Sequence, residues 1–259
     1  MESLNLDGPM RRIAAKHGID LSKLDFNDLL ASRDEREEQE AIKFTRINNN
    51  FKRTRTFQSS LVSDFEDLKQ TFDDFNVTDE KQQKELNRAK NIATRIIQGE
   101  TGNFTFSGPA GSGKTMLAIS ILNAINKSKC DKTCYFLSFE MFMSKQKASF
   151  NDPSLKKDVQ KIEKCIQNCD VFVLDDLGSE TFMQHVDKFK KKPTQASEFT
   201  QETLFRFADY RKSKTNIVTT NNSSTELQDI YNPKIYSRLI AKNMGNAIKF
   251  DSKDMRNIF

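Results

Sequence analysis

Gly108-Pro109-Ala110-Gly111-Ser112-Gly113-Lys114-Thr115 is a glycine-rich octet that closes on a lysine and a hydroxyl. The physical reason for such a composition is specific. Glycines let successive backbone N–H groups turn inward around phosphate oxygens, and a helix starting at Lys114 offers its positive end to the same anion. Lys114 then reaches the β- and γ-phosphates of ATP, and Thr115 ligates Mg²⁺. Context separates this loop from an ordinary glycine turn. Residues 103–106 read as a strand leading in, and residues 114 to about 127 as a helix leading out.

Some sixty residues downstream, Val171-Phe172-Val173-Leu174-Asp175-Asp176 reads as a buried apolar strand ending in two acids. That arrangement holds a metal through water and polarises an attacking water. Asp175 is the expected Mg²⁺ residue and Asp176 the expected base. A further strand, residues 216–220, runs into Asn221, whose amide can reach the γ-phosphate or its attacking water; Asn222 is the neighbouring alternative. Arg238 follows within Lys234-Ile235-Tyr236-Ser237-Arg238-Leu239. There a guanidinium can be offered as a finger to the γ-phosphate held by a neighbouring subunit, or be solvated or ion-paired.

Around these motifs the rhythm from about residue 70 onward is helix, strand, helix, strand, as a parallel sheet covered on both faces requires. Helices are expected over 80–98, 139–147, 155–168 and 200–212, strands over 134–138, 171–174 and 216–220, and a last strand over 248–250. The expected fold is therefore α/β, with a central parallel sheet in a three-layer sandwich. Residues 1–60 differ: they are charged and helical in pattern, with sparse apolar anchors such as Met10, Ile13, Leu29 and Leu30, and read as an adaptor arm in front of a catalytic domain over 61–259. The basic stretch Phe51-Lys52-Arg53-Thr54-Arg55-Thr56 is expected to be a linker with a solvated face.

Composition narrows the partners little. Across 259 residues, 41 Lys and Arg against 36 Asp and Glu give +5, a charge that permits nucleic acid without demanding it. No run approaches the roughly 20 apolar residues of a membrane span, and Met1-Glu2-Ser3-Leu4-Asn5 lacks the pattern of a signal peptide, so a cytoplasmic protein is expected. Cys130, Cys134, Cys165 and Cys169 form two C-x3-C pairs. Zinc is conceivable there, but the spacing is not that of a zinc knuckle and free thiols are the expectation. The run Lys188-Phe189-Lys190-Lys191-Lys192-Pro193 reads as a loop in which Lys190 and Lys191 contact phosphate, or as a solvated surface.

Taken together, Gly108 to Thr115, Asp175-Asp176-Leu177-Gly178-Ser179-Glu180, Ala208-Asp209-Tyr210-Arg211, Thr219-Thr220-Asn221 and Ser237-Arg238-Leu239 resemble the DnaC and DnaI helicase loaders of the AAA+ superfamily. The resemblance runs from about residue 60 to the end. It implies an AAA+ P-loop NTPase domain with ATP and Mg²⁺ at Lys114, Thr115 and Asp175, water activation at Asp176, a sensor at Asn221, a finger at Arg238 and a second sensor at Arg256. It further implies slow ATP hydrolysis, since aspartate at the second acidic position is a methylene shorter than the glutamate many relatives carry. The partners it implies are a hexameric replicative DNA helicase gripped by the arm, single-stranded DNA, and further copies of the chain as a homo-oligomer. Phe150 aligns with a loop that the family turns toward DNA, where an aromatic ring can stack a base; a core position is the alternative. DnaI-like arms carry a zinc site, whereas residues 1–60 contain no cysteine. Two other functions fit the same motifs: an IstB-like transposition helper, and an adaptor that binds ATP without hydrolysing it.

Overall fold

The computed structural model describes residues 8–18, 26–128, 130–181 and 195–251. Contacts divide the chain into a unit of Met1–Asn50 and a unit of Phe51–Phe259. In the first unit lie α1 (Gly8–Lys16) and most of α2 (Phe26–Gln58), which runs on into the second. The exposed side chains Ile42, Phe44 and Ile47 are set among charges here, and an Arg33–Glu37 pair one turn apart stabilises the helix locally.

The second unit is built on five parallel strands in the order β2-β3-β4-β1-β5: β1 (Asn103–Ser107), β2 (Cys134–Ser138), β3 (Val171–Asp175), β4 (Thr215–Thr220) and β5 (Ala247–Lys249). α3 (Glu80–Ile97) precedes β1, and between successive strands run α4 (Lys114–Lys127), α5 (Phe139–Ala148), α6 (Pro153–Asn168), α7 (Glu198–Tyr210), α8 (Ser224–Ile230) and α9 (Pro233–Leu239). Near-continuous apolar strands are what a sheet buried on both faces demands. The period-2 alternation sorts them: Val171 and Val173 join the core with Phe104, Phe106 and α3 and α4, while Phe172 and Leu174 join the opposite core with α5, α6 and α7. The α4 helix is apolar nearly all round, as befits a helix enclosed by its neighbours. Strand starts and helix ends agree with expectation to within two residues almost throughout.

The basic stretch 51–56 departs from expectation. It is the last part of α2, and Arg53 is buried, its Nη2 donating to the carbonyls of Ile125 (3.2 Å), Asn126 (2.5 Å) and Ser128 (3.3 Å) at the C-terminal end of α4. Carbonyls at a helix C-terminus are short of backbone donors, and a guanidinium serves several at once; Ile125 O also accepts from the N–H and Oγ of the capping Ser128. The following residues also join the sheet: Leu61 pairs with Leu137 at the free edge of β2, and Ser60 Oγ accepts from Phe136 N. No helix among the described residues is long and apolar enough to cross a membrane.

Candidate nucleotide site

Strand order positions the site. The chain leaves β1, crosses to the far edge at β2, and returns through β3 and β4 to β1's side, so a crevice opens at the carboxyl ends of β1, β4 and β3. The glycine octet begins where β1 ends, and Asp175 closes β3. A cavity of about 560 Å³ lies there, lined by the loop, by Asp175, Asp176, Thr219 and Asn221, and by the segment from Asp67 to Asn76.

Gly108, Gly111 and Gly113 all have positive φ, and two of them are also crowded by neighbouring residues. Gly108 has φ 150° and packs so closely on the chain after β5 that a Cβ would lie 2.4 Å from Phe250 O. Gly113, at φ 90°, is the N-cap of α4, and a Cβ there would meet Phe75 Cε2 at 2.5 Å. The first turn of α4 contains no acid, and no side chain caps it, so the positive helix end faces the loop. Lys114 is buried, with Nζ donating to Gly108 O (2.9 Å) and Pro109 O (2.6 Å).

Asp175 Oδ1 accepts from two hydroxyls, Thr115 Oγ1 at 2.8 Å and Thr219 Oγ1 at 2.6 Å. Burial pushes its carboxyl up to about 6; the Thr219 and Thr115 hydrogen bonds oppose the rise, neighbouring Asp176 adds to it and Lys114 counters it. Asp176 has φ 57°, a left-handed conformation that aspartate tolerates better than most residues. In that pose its N–H donates to Thr219 Oγ1 (2.8 Å), and its Oδ1 accepts from Asn221 Nδ2 (2.8 Å). Asn222 is buried instead, packed beside Gly178, so of the two amides Asn221 is the one that lines the cavity.

These residues fit a magnesium nucleotide. An ammonium and an uncapped helix end suit phosphates, and a hydroxyl beside a carboxylate supplies the hard oxygen ligands Mg²⁺ takes. Thr219, which ties both acids to β4, was not singled out in the sequence; the Thr-Thr pair preceding Asn221 was its signal. The lining segment from Asp67 to Asn76 has no motif to reveal it, and Asn123 fixes it by donating to Leu68 O and Gln70 O.

Other expected residues lie elsewhere. Arg238, on α9, does not line this cavity; its Nη1 is 3.3 Å from Asp209 Oδ1 and its guanidinium lies over the Phe205 ring. Phe150 is exposed, edge-on to Phe199, and is therefore not a core residue. Arg256, Lys190 and Lys191 lie outside the described residues. The four cysteines are free thiols, and burial pushes those of Cys134 and Cys169 upward. Arg211, quoted above only as part of a motif, is fully buried. It donates to Asn216 Oδ1 and to the carbonyls of Ile166, Cys169, Asp170 and Thr215, and stacks on Phe172.

A family model described as IstB-like ATP binding protein matches residues 21–231. Among curated proteins, the uncharacterized protein YdaV of Escherichia coli K12 is 34% identical over 108 residues, 42% of this chain and 41% of YdaV. The replicative helicase loader DnaC of the same strain is 26% identical over 154 residues, 60% of each chain. The chain thus spans less than two thirds of either relative. Among solved structures, DnaI superposes with a TM-score of 0.55 (18% identity, 75% of this chain and 95% of that one). DnaA bound to AMPPCP and single-stranded DNA gives 0.53 (18%, 73% and 52%), and the DnaC helicase loader 0.50 (21%, 72% and 99%). At such identities the likeness is one of fold, and that fold is the AAA+ P-loop NTPase sandwich. Since the matched span takes in the glycine octet, both acids and Asn221, the chain belongs to the IstB-like ATP-binding protein family.

Proposed function

We propose that this protein is a slow, magnesium-dependent ATPase that delivers a replicative DNA helicase onto single-stranded DNA. The observation that carries the ATPase reading is the joint placement of Thr115 and Thr219 on Asp175 Oδ1 and of Asn221 on Asp176 Oδ1 beside the glycine loop. Lys114 and the amides of residues 111–115 hold the phosphates, and Thr115 and Asp175 hold Mg²⁺. When bound, the ion neutralises charge on the β- and γ-phosphates. Asn221 turns Asp176 so that one carboxylate oxygen is committed and Oδ2 is available to take a proton from water. Arg238 serves a neighbouring copy's nucleotide and Arg256 the chain's own, while Phe150, Lys190 and Lys191 contact single-stranded DNA.

The loading half of the proposal draws on the names of DnaC and DnaI and on residues 1–60, the segment that holds α1 and α2 and takes the role of helicase grip. Its test is a pull-down of the full chain against the hexameric replicative helicase, with hydrolysis followed with and without single-stranded DNA. Helicase capture together with DNA-stimulated turnover is expected; ATP binding without either would sink the loader. A second reading, an IstB-like transposition helper, is favoured by the family match over residues 21–231. It predicts capture of a transposase and filament formation on duplex DNA.

A further inference from the structure

Glu180 is a buried acid that follows Asp176 on the short turn Ser179–Thr181, outside the nucleotide cavity. No cation forms an ion pair with it among the described residues. Both its oxygens are engaged. Oε2 accepts from Gly178 N at 3.0 Å, and Oε1 accepts from the hydroxyl of Tyr231. Burial pushes its carboxyl above the usual range; the Tyr231 and Gly178 hydrogen bonds oppose the rise, and the charge of Asp176 adds to it. A carboxylate without a cation is a costly anchor inside a protein. What it supplies in return, and an apolar side chain cannot, is two strong acceptors.

Those acceptors bear on Asp176. Its φ of 57° and the 103° of Gly178 place left-handed residues on both sides of Leu177, and aspartate keeps that conformation only where its surroundings enforce it. Hydrogen bonds enforce it from Asp176 to Gly178. Asp176 N donates to Thr219 Oγ1 at 2.8 Å, Leu177 N to Thr219 O at 2.9 Å, and Gly178 N to Glu180. Ser179 Oγ donates to Asp176 O at 2.8 Å and Thr220 Oγ1 to Leu177 O at 2.6 Å. Thr219 and Thr220 belong to β4, whereas Glu180 carries the restraint on to Tyr231, the buried C-terminal cap of α8. The segment from Asn221 to Tyr231 thus grips the turn at both ends, through Asn221 on Asp176 and through Tyr231 on Glu180. We propose that Glu180 is a positioning residue: by joining Gly178 N to the Tyr231 hydroxyl it locks the turn that presents the Asp176 carboxylate to the cavity. This role rests on the reading of Asp176 as the base.

Three variants of the full chain test it in steady-state ATP hydrolysis, with thermal melts to confirm folding. Glu180→Ala removes both acceptors and should lower kcat by about 10- to 100-fold, the scale of a misplaced reacting group. KM should stay within about 2-fold of wild type, because no contact to the nucleotide is lost. Glu180→Gln accepts from Gly178 N through its oxygen and donates to the Tyr231 oxygen through its amide, so it should recover most of that loss. Tyr231→Phe keeps the ring in the core and cuts only the outer bond. It should fall between the other two, and it stands in for Glu180→Ala if that variant does not fold. Amide exchange at Leu177 and Gly178, followed without nucleotide, should quicken in the same order. Wild-type kcat in Glu180→Ala and Tyr231→Phe, a loss in Glu180→Gln as deep as in Glu180→Ala, or a raised KM at unchanged kcat overturns the positioning role. If the wild-type chain does not hydrolyse Mg²⁺–ATP, the ATPase reading fails instead and exchange decides the tether: equal rates in wild type and Tyr231→Phe would overturn it.

Discussion

Asn221 Nδ2 donates to Asp176 Oδ1 at 2.8 Å, a bond that ties the residue after β4 to the residue after β3 at the wall of the cavity. The second acid is therefore held in place by a neighbouring strand. Thr219 reinforces the arrangement from the same strand, accepting from Asp176 N while donating to Asp175.

If Asp176 is the base, its loss should appear in turnover and not in binding. Asp176→Asn is expected to lower kcat by about 10²- to 10⁴-fold, the usual range for general-base removal. Asn221→Ala, which releases the carboxylate without removing it, should cost less. Steady-state hydrolysis together with fluorescent-nucleotide titration checks both, and turnover of Asp176→Asn equal to wild type would support an adaptor that only binds ATP.

Asp175 should make the nucleotide-free protein sensitive to pH. Its folded carboxyl keeps its proton up to about pH 6, whereas the unfolded one releases it near the ordinary 3.8. Stability from this group is thus fully present below about pH 4 and is lost as pH rises to 6, leaving a cost of about 3 kcal/mol at neutral pH. Asp175→Asn, which still accepts from both threonines, is expected to melt several degrees above wild type at pH 7.5, at about 2–4 °C per kcal/mol. The advantage should vanish near pH 4, as thermal melts across that range will show, and the same variant should lose Mg²⁺-dependent nucleotide binding.

The two crowded glycines should respond differently to a methyl group. Gly108→Ala drives its Cβ against the Phe250 carbonyl, which is backbone, while Gly113→Ala meets the edge of the Phe75 ring, which can swing. Both carry the strain of a positive φ, and both should destabilise by at least about 1 kcal/mol, with Gly108→Ala the worse. Denaturant midpoints order the pair, and equal losses would mean that the Phe75 ring is as immovable as the Phe250 backbone.

Much of the fold could be read from the sequence because local and global signals agree. A parallel sheet buried on both faces needs apolar strands, and residues 134–138, 171–174 and 216–220 are unbroken by charge. The glycine octet, together with Asp175 and Asp176 at the end of β3, located residues that line the cavity. Arg53 escaped because a basic hexapeptide looks the same whether it is solvated or buried against the carbonyl end of another helix. Arg211 escaped for a similar reason: its acceptors are mostly carbonyls more than 40 residues away, and backbone acceptors leave no mark in composition. Thr219 was hidden by the asparagine after it, whose amide is the more conspicuous chemistry.

Arg211 should prove essential to the fold. Its buried guanidinium satisfies acceptors from α6, from the connection between α6 and β3, and from β4, and a lysine's single ammonium cannot reproduce that fork. Arg211→Lys is expected to destabilise by about 2–4 kcal/mol and Arg211→Ala by more, because buried carbonyls lose their donors. Chemical denaturation measures both, and wild-type stability in Arg211→Lys would contradict the clamp.

The most direct test is calorimetric titration of Mg²⁺–AMPPCP into the wild-type chain and into Lys114→Ala, which removes the ammonium beneath the glycine loop without touching either core. One saturable site per chain is predicted for wild type, with affinity at least about 10-fold weaker in Lys114→Ala, since a hydrogen bond to a charged group is worth about 1.5–3 kcal/mol. Equal affinity in both proteins, or no binding to wild type, would contradict a nucleotide held at Gly108 to Thr115.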